Sequence, residues 1–118
     1  MRRNRVITPA LLLTLLGAAA CNDVAEPKPL QVDITAQPTT GTVGQAIAFE
    51  ATAEGFEIIQ ITVDLGDGED ESFEFPAFTT ASANFTHAYA EPGAFRVIAT
   101  VRDLGGATRT DSVVVTIQ

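Results

Sequence analysis

Eight residues, DLGDGEDE from Asp64 to Glu71, carry five carboxylates and two glycines. Oxygen ligands at this density suit a hard divalent cation, since calcium gathers roughly six to eight of them. Asp64, Asp67, Glu69, Asp70 and Glu71 are the candidate calcium ligands, and Glu74 adds charge just beyond. The spacing is not that of an EF-hand: counted from Asp64 or Asp67, the bidentate position falls on Phe75 or Phe78. The same residues also make sense without an ion. Gly66 and Gly68 allow the positive φ that a chain leaving a strand needs, and Asp64 and Asp67 can accept hydrogen bonds from the loop's own amides. A calcium-binding loop and a solvated acidic turn are both open at this point, and no cofactor is required.

The other chemistry-bearing residues are few. His87, the one histidine, sits in FTHAY with Phe85 and Tyr89 at alternate positions. A general base or metal ligand would need partners that the sequence does not supply, so a packed structural histidine is favoured. No nucleophile elbow, Cys-His pair or glycine loop opening a helix is present, and paired carboxylates would need a deep cleft. No catalytic residue is assigned, and the expectation is a protein that is not an enzyme. Arg96 and Arg102 share a strand face with Ile98. These three are the candidate partner-binding patch, the plainer alternative being cross-strand pairing of the arginines with carboxylates such as Asp111.

The elements that position these residues alternate with period two. Val32, Ile34 and Ala36 mark one strand, and Ile47, Phe49 and Ala51 a second that Glu54-Gly55 closes. Ile59, Ile61, Val63 and Leu65 mark a third, running into the acidic loop. A short edge strand over Ser72 to Phe75 is expected to stop at Pro76. Three further strands are read over Thr80 to Thr86, Ala94 to Arg102 and Ser112 to Ile117. Glu91-Pro92-Gly93-Ala94 is a turn, with proline fixing φ at its second position and Gly93 permitting positive φ at its third. No helical period is sustained after the first twenty residues. About seven short antiparallel strands predict an all-β immunoglobulin-like sandwich over 31–118. Its core is drawn from Val32, Ile34, Ile47, Phe49, Ile61, Val63, Phe85, Phe95, Val97, Val101, Val113 and Val115.

Residues 1–20 read as an export signal: Arg2, Arg3 and Arg5, then the apolar run Leu11 to Leu16, then small residues. Cys21 is the only cysteine, so no intramolecular disulfide can form. GAAAC resembles a bacterial lipobox, with Ala18 where leucine is usual. That resemblance implies cleavage before Cys21, acylation of its sulfur and a membrane anchor needing no spanning helix. Asn22, and not aspartate, follows, which favours the outer over the inner membrane of an exported, envelope-anchored lipoprotein. Residues 21–30 then form the lipidated N-terminus and a proline-containing linker. Loss of the three leader arginines leaves four Lys/Arg against fifteen Asp/Glu, a net charge of −11. Pro29 to Phe95 holds eleven carboxylates and no Lys or Arg, so nucleic-acid binding is excluded.

VDLGDGE at Val63 to Glu69, FTHAYAEPGAFRVIATVRD at Phe85 to Asp103 and the closing VVVTI at Val113 to Ile117 occur in an order that resembles a polycystic kidney disease (PKD) domain. Val63 stands where that family usually has tryptophan, and Leu65 where it has phenylalanine. The resemblance implies an immunoglobulin-like sandwich found mainly outside the cytoplasm, making protein or carbohydrate contacts or spacing other domains. It also implies structural roles for Gly66, Gly68, His87, Tyr89, Pro92 and Gly93, with the His87 ring bonded to loop backbone and the Tyr89 hydroxyl tying two loops together. The leading expectation is a protein-binding or spacer module. Carbohydrate binding, with a calcium-stabilised loop as a variant, and service as an inhibitor or accessory subunit of an envelope hydrolase are the alternatives.

Overall fold

The computed structural model describes residues 28–118, and the leader, Cys21 and most of the linker lie outside the described residues. Six strands follow in order: β1 (Gln31–Gln37), β2 (Thr40–Gly41), β3 (Ala46–Asp64), β4 (Asp70–Ala88), β5 (Gly93–Asp103) and β6 (Thr108–Ile117). The all-β sandwich expected from the alternation is what forms. Two strands are longer than the sequence suggested, because β3 joins the expected second and third strands and β4 joins the expected edge strand to the one after it.

The joins are bends. β3 and β4 pair antiparallel, and their register shifts between Glu54 and Ile58 and again between Ile58 and Gln60. Each shift leaves extra residues on one strand, a bulge that bends the ladder and strengthens its twist. Glu57 (φ 65) and Ala77 (φ 62) take left-handed backbone at the two bulges, a conformation side chains rarely favour. The ribbon thereby passes from one layer to the other. In the first layer, the start of β3 lies between β1 and the end of β4; in the second, its end lies between the start of β4 and β5, followed by β6 and β2. Neither Gly55 nor Pro76 ends a strand, since both fall where the paired strands already bend.

One side of the sandwich is closed and the other open. On the closed side, Asp111 of β6 reaches β1, and the Ile34 N–H donates to its Oδ2 at 2.9 Å. On the open side, β4 pairs with β3 alone among the described strands. Phe73 and Phe85 are brought together by the bend in β4 (5.6 Å between ring centroids), and Phe85 stacks on Phe49 at 5.3 Å. These rings fill the opening between the layers.

Among the described residues the core is drawn from residues 30–117. Val32, Ile34, Ile47, Phe49, Ile61, Val63, Val97, Val101 and Val115 are buried as expected, while Phe85, Phe95 and Val113 are only partly buried. Tyr89 is the largest fully buried side chain, ahead of Phe49. It stacks on Phe95 with centroids 4.4 Å apart, providing the large aromatic anchor in a chain without tryptophan.

Candidate functional site

The acidic stretch lies at one end of the sandwich, where β3 turns into β4. Leu65 N–H donates to Glu69 O at 3.0 Å and closes the turn. Asp64 Oδ1 accepts from the Gly66 N–H (2.9 Å), and Asp67 Oδ1 accepts from the Glu69 N–H (3.1 Å). Both are local side-chain turns that tie carboxylates to nearby amides. Gly66 and Gly68 have φ of 83 and 96. Gly66 also runs close to β5: a Cβ there would lie 2.8 Å from Arg96 O.

His87 at the end of β4 and Tyr89 just after it complete the loop. His87 Nε2 lies 2.7 Å from Asp67 Oδ2; since an ionised carboxylate only accepts, Nε2 carries the proton and donates. The ring therefore meets a carboxylate and not the loop backbone that the family resemblance implied. Its edge packs on Tyr89 with centroids 4.7 Å apart. The Tyr89 hydroxyl donates to Leu65 O at 2.9 Å, buried from solvent.

These contacts set the acidities. Partial burial pushes the Asp67 carboxyl up, but the His87 hydrogen bond, the Glu69 amide and the charge on His87 outweigh it, and the net direction is down from the ordinary 3.8. Burial, with the Asp67 and Asp64 charges, pushes Tyr89 up from 10.0 to about 12.

The five candidate calcium ligands are not gathered around one point. Asp64 and Asp67 are engaged by amides and His87, while Asp70 and Glu71 lie on β4 opposite Asp64 and Val63. Among the described residues, no group of three or more His, Cys, Asp or Glu is placed to hold a metal ion. What the arrangement does is fix a loop.

Arg96, Ile98 and Arg102 share the outer face of β5. Arg96 lies opposite Val114, Ile98 opposite Asp64 and Ser112, and Arg102 opposite Gln60 and Thr108. The expected pairing of these arginines with Asp111 is not formed. Asp111 lies opposite Ala99, one residue out of phase with them, and is spent on β1. Among the described residues Lys28 and Glu54 form an ion pair at 3.9 Å, and the Asp67–His87 hydrogen bond is an ion pair only when the ring is protonated. Pro92 and Gly93 enter β5, and Gly93 has φ 148.

The phenylalanines do not all turn inward. Phe56, Phe78 and Leu104 are 57%, 46% and 60% exposed at the end opposite the acidic loop. Phe56 follows buried Gly55 at the β3 bulge, and Phe78 lies opposite Ile58. A single apolar residue in a bend leaves no periodic trace, and the alternation misses it.

The model of the PKD domain matches residues 26–117. The chain belongs to the PKD-domain family. Members are non-catalytic immunoglobulin-like modules, often found in surface proteins. Among solved structures, the PKD domain of an M14-like peptidase from Thermoplasmatales archaeon SCGC AB-540-F20 is similar at 21% identity and TM-score 0.68, over 78% of this chain and 98% of that one. The PKD1 domain of Vibrio anguillarum Epp is similar at 19% identity and TM-score 0.59, over 79% and 98%. A structure of carbohydrate-binding modules from the β-sandwich superfamily is similar at 21% and TM-score 0.65, over 80% of this PKD domain's chain and 36% of that one. These identities speak to fold. A comparison with curated proteins returns no match.

Proposed function

We propose that this PKD domain is a non-catalytic, lipid-anchored module of the bacterial envelope, favoured at the outer membrane, that binds a partner protein through the open edge of β4. The observation carrying this reading is the contrast between the two edges of the first layer. The β1 edge is occupied by Asp111. Among the described residues no strand lies beside the β4 edge, and from Phe75 to Thr86 it carries no Lys, Arg, Asp or Glu. Sheet edges are normally blunted by charge, proline or a covering element, and an unguarded one is a template for an incoming strand. Pro76 lies at the bulge and leaves Phe78 to Thr86 unprotected.

Carbohydrate binding is the second reading, supported by the likeness to carbohydrate-binding modules. A shallow depression lined by Gln31, Asp33, Thr52, Glu54, Thr80 and Ser82 offers polar groups but no aromatic ring on which a sugar could stack. A glycan array tests it.

The deciding experiment is capture from detergent-solubilised envelope with wild type, a Ser82→Lys/Asn84→Lys pair and an Arg96→Ala/Arg102→Ala pair. All four positions are exposed on strands, so the variants keep the core. Capture lost only with the β4 lysines supports strand addition. Capture lost only with the arginine pair moves the interface to the β5 face.

A further inference from the structure

We infer that the end of the sandwich carrying Phe56, Phe78 and Leu104 rests on the lipid surface to which the chain is anchored. This deepens the anchored reading above and depends on it.

The first observation is where the chain enters. Leu30 packs on Gly55: a Cβ on that glycine would lie 2.7 Å from Leu30 Cδ1. Lys28 reaches Glu54. The linker therefore meets the domain beside the β3 bulge and Phe56. Seven peptide steps separate Cys21 from Lys28, a contour of about 23 Å. A lipid on Cys21 keeps this end, and not the acidic loop, next to the bilayer.

The second observation is what that end displays. Three of the five exposed large apolar side chains of the described residues are there, the others being Val43 and Val114. They are neighbours: Leu104 N–H donates to Glu57 O at 2.9 Å, next to Phe56, and Ile58 is opposite both Phe78 and Asp103. Phe75 packs against Phe78, ring centroids 6.0 Å apart. Clustered exposed apolar groups mark a contact surface, and Phe and Leu side chains on a peripheral protein can bury into the headgroup and acyl boundary of a bilayer.

The third is charge. Lys28, Arg102 and Arg109, three of the four basic residues after Cys21, are at this end, with Arg102 and Arg109 flanking the β5–β6 turn. They face Glu54, Glu57, Glu74 and Asp103, of which Glu54 is paired with Lys28, Glu74 Oε2 accepts from Gln60 Nε2 and Asp103 Oδ1 accepts from the Ala107 N–H. The opposite end carries Asp64, Asp67, Glu69, Asp70, Glu71 and Glu91. In a chain this acidic, the anchored end, with cations and carboxylates nearly matched, is the one that anionic headgroups repel least.

The chain contains no tryptophan, so Phe78→Trp and Val43→Trp variants of the chain from Cys21 to Gln118, which retains every described core residue, each carry one reporter. They are tethered through the Cys21 thiol to maleimide headgroups on vesicles of phosphatidylethanolamine and phosphatidylglycerol with brominated acyl chains. A blue shift and quenching are expected for Phe78→Trp and neither for Val43→Trp. An unquenched Phe78→Trp reporter overturns the inference. So does a blue shift without vesicles accompanied by a doubled mass in light scattering, which would give the patch to a second copy. Labelled palmitate uptake by the full chain in a bacterial host, compared with Cys21→Ser, tests the anchor separately. No uptake with quenching intact sinks the anchor alone, and uptake without quenching sinks the docking alone.

Discussion

His87 Nε2 donates to Asp67 Oδ2 across 2.7 Å, joining the end of β4 to the middle of the acidic loop. The other Asp67 oxygen holds the Glu69 amide. One carboxylate thus fixes both the loop and the histidine ring, which in turn packs against the buried tyrosine. Beyond the local turn that the sequence suggested for it, Asp67 is thus also a clasp on the end of β4.

Asp67→Asn is expected to cost roughly 1–2 kcal/mol at neutral pH, the range for a hydrogen bond to a charged group near the surface. The folded Asp67 carboxyl titrates below the ordinary 3.8. Its contribution is therefore fully present above that value and is lost as pH falls through the lower folded value. Denaturant melts from pH 7 to pH 2 should show the wild type's lead over the variant shrinking only below about pH 4. A constant lead would mean that the carboxylate's charge is not involved.

Calcium is expected to leave the melting temperature unchanged, because Asp64 and Asp67 are engaged and the loop carboxylates do not converge. Were a site present and calcium supplied at about 100 times its Kd, folding would gain about 2.7 kcal/mol, a shift of several degrees in a domain this small. Calorimetric titration against a chelator control checks this, and saturable binding would reopen the loop as a metal site.

Tyr89→Phe removes the donor to Leu65 O and leaves a buried carbonyl unpaired, at a cost of roughly 1–2 kcal/mol. The tyrosine itself makes the fold sensitive to base. Its folded value, about 12, lies above the ordinary 10.0, so stability is intact below pH 10 and declines as pH rises towards 12. The variant should be less stable at pH 7 yet lose less between pH 10 and 12, as read by circular dichroism in urea.

The two loop glycines should respond unequally to alanine. Gly68 has positive φ with nothing within 4 Å of an added Cβ, so Gly68→Ala is expected to cost about 1 kcal/mol from backbone alone. Gly66 has positive φ and the Arg96 carbonyl 2.8 Å from that Cβ, and its replacement should cost roughly 2–4 kcal/mol. Equal effects in denaturant melts would show that the approach to β5 is relaxed at no cost.

Period-two alternation made the sandwich legible, because Val32, Ile34, Ile47, Phe49, Val97 and Val101 bury on one face each. It could not show that β3 and β4 continue through their bends. Left-handed backbone at Glu57 and Ala77 is held by the paired ladder and by no local signal, while Gly55 and Pro76 looked like stops. The loop was half legible. Its glycines and the Asp64 and Asp67 turns follow from local chemistry, but the partner of Asp67 is twenty residues away, a distance that only tertiary pairing bridges. The exposed end of Phe56, Phe78 and Leu104 comes from three separate loops and bulges, so no stretch of sequence displays it. Lipidation of Cys21 rests on sequence alone.

Asp111 provides the last test, because it separates the guarded edge from the open one. Its Oδ2 occupies the Ile34 amide at the margin of β1, where a strand at a sheet edge would otherwise offer a free donor to another chain. Asp111→Ala should cost roughly 1–2 kcal/mol and raise amide exchange at Ile34 without changing Val97 or Val101 in the core. It should also increase self-association at high protein concentration, since both edges of the first layer would then be open. Added Ser82→Lys and Asn84→Lys should leave that new association in place if it runs through β1, and abolish it if copies join through β4. Sedimentation of the single and combined variants, with hydrogen exchange at Ile34, distinguishes the two edges. An Asp111→Ala protein that stays monomeric with Ile34 still protected would show that packing of β1 against β6, and not the carboxylate, closes that side.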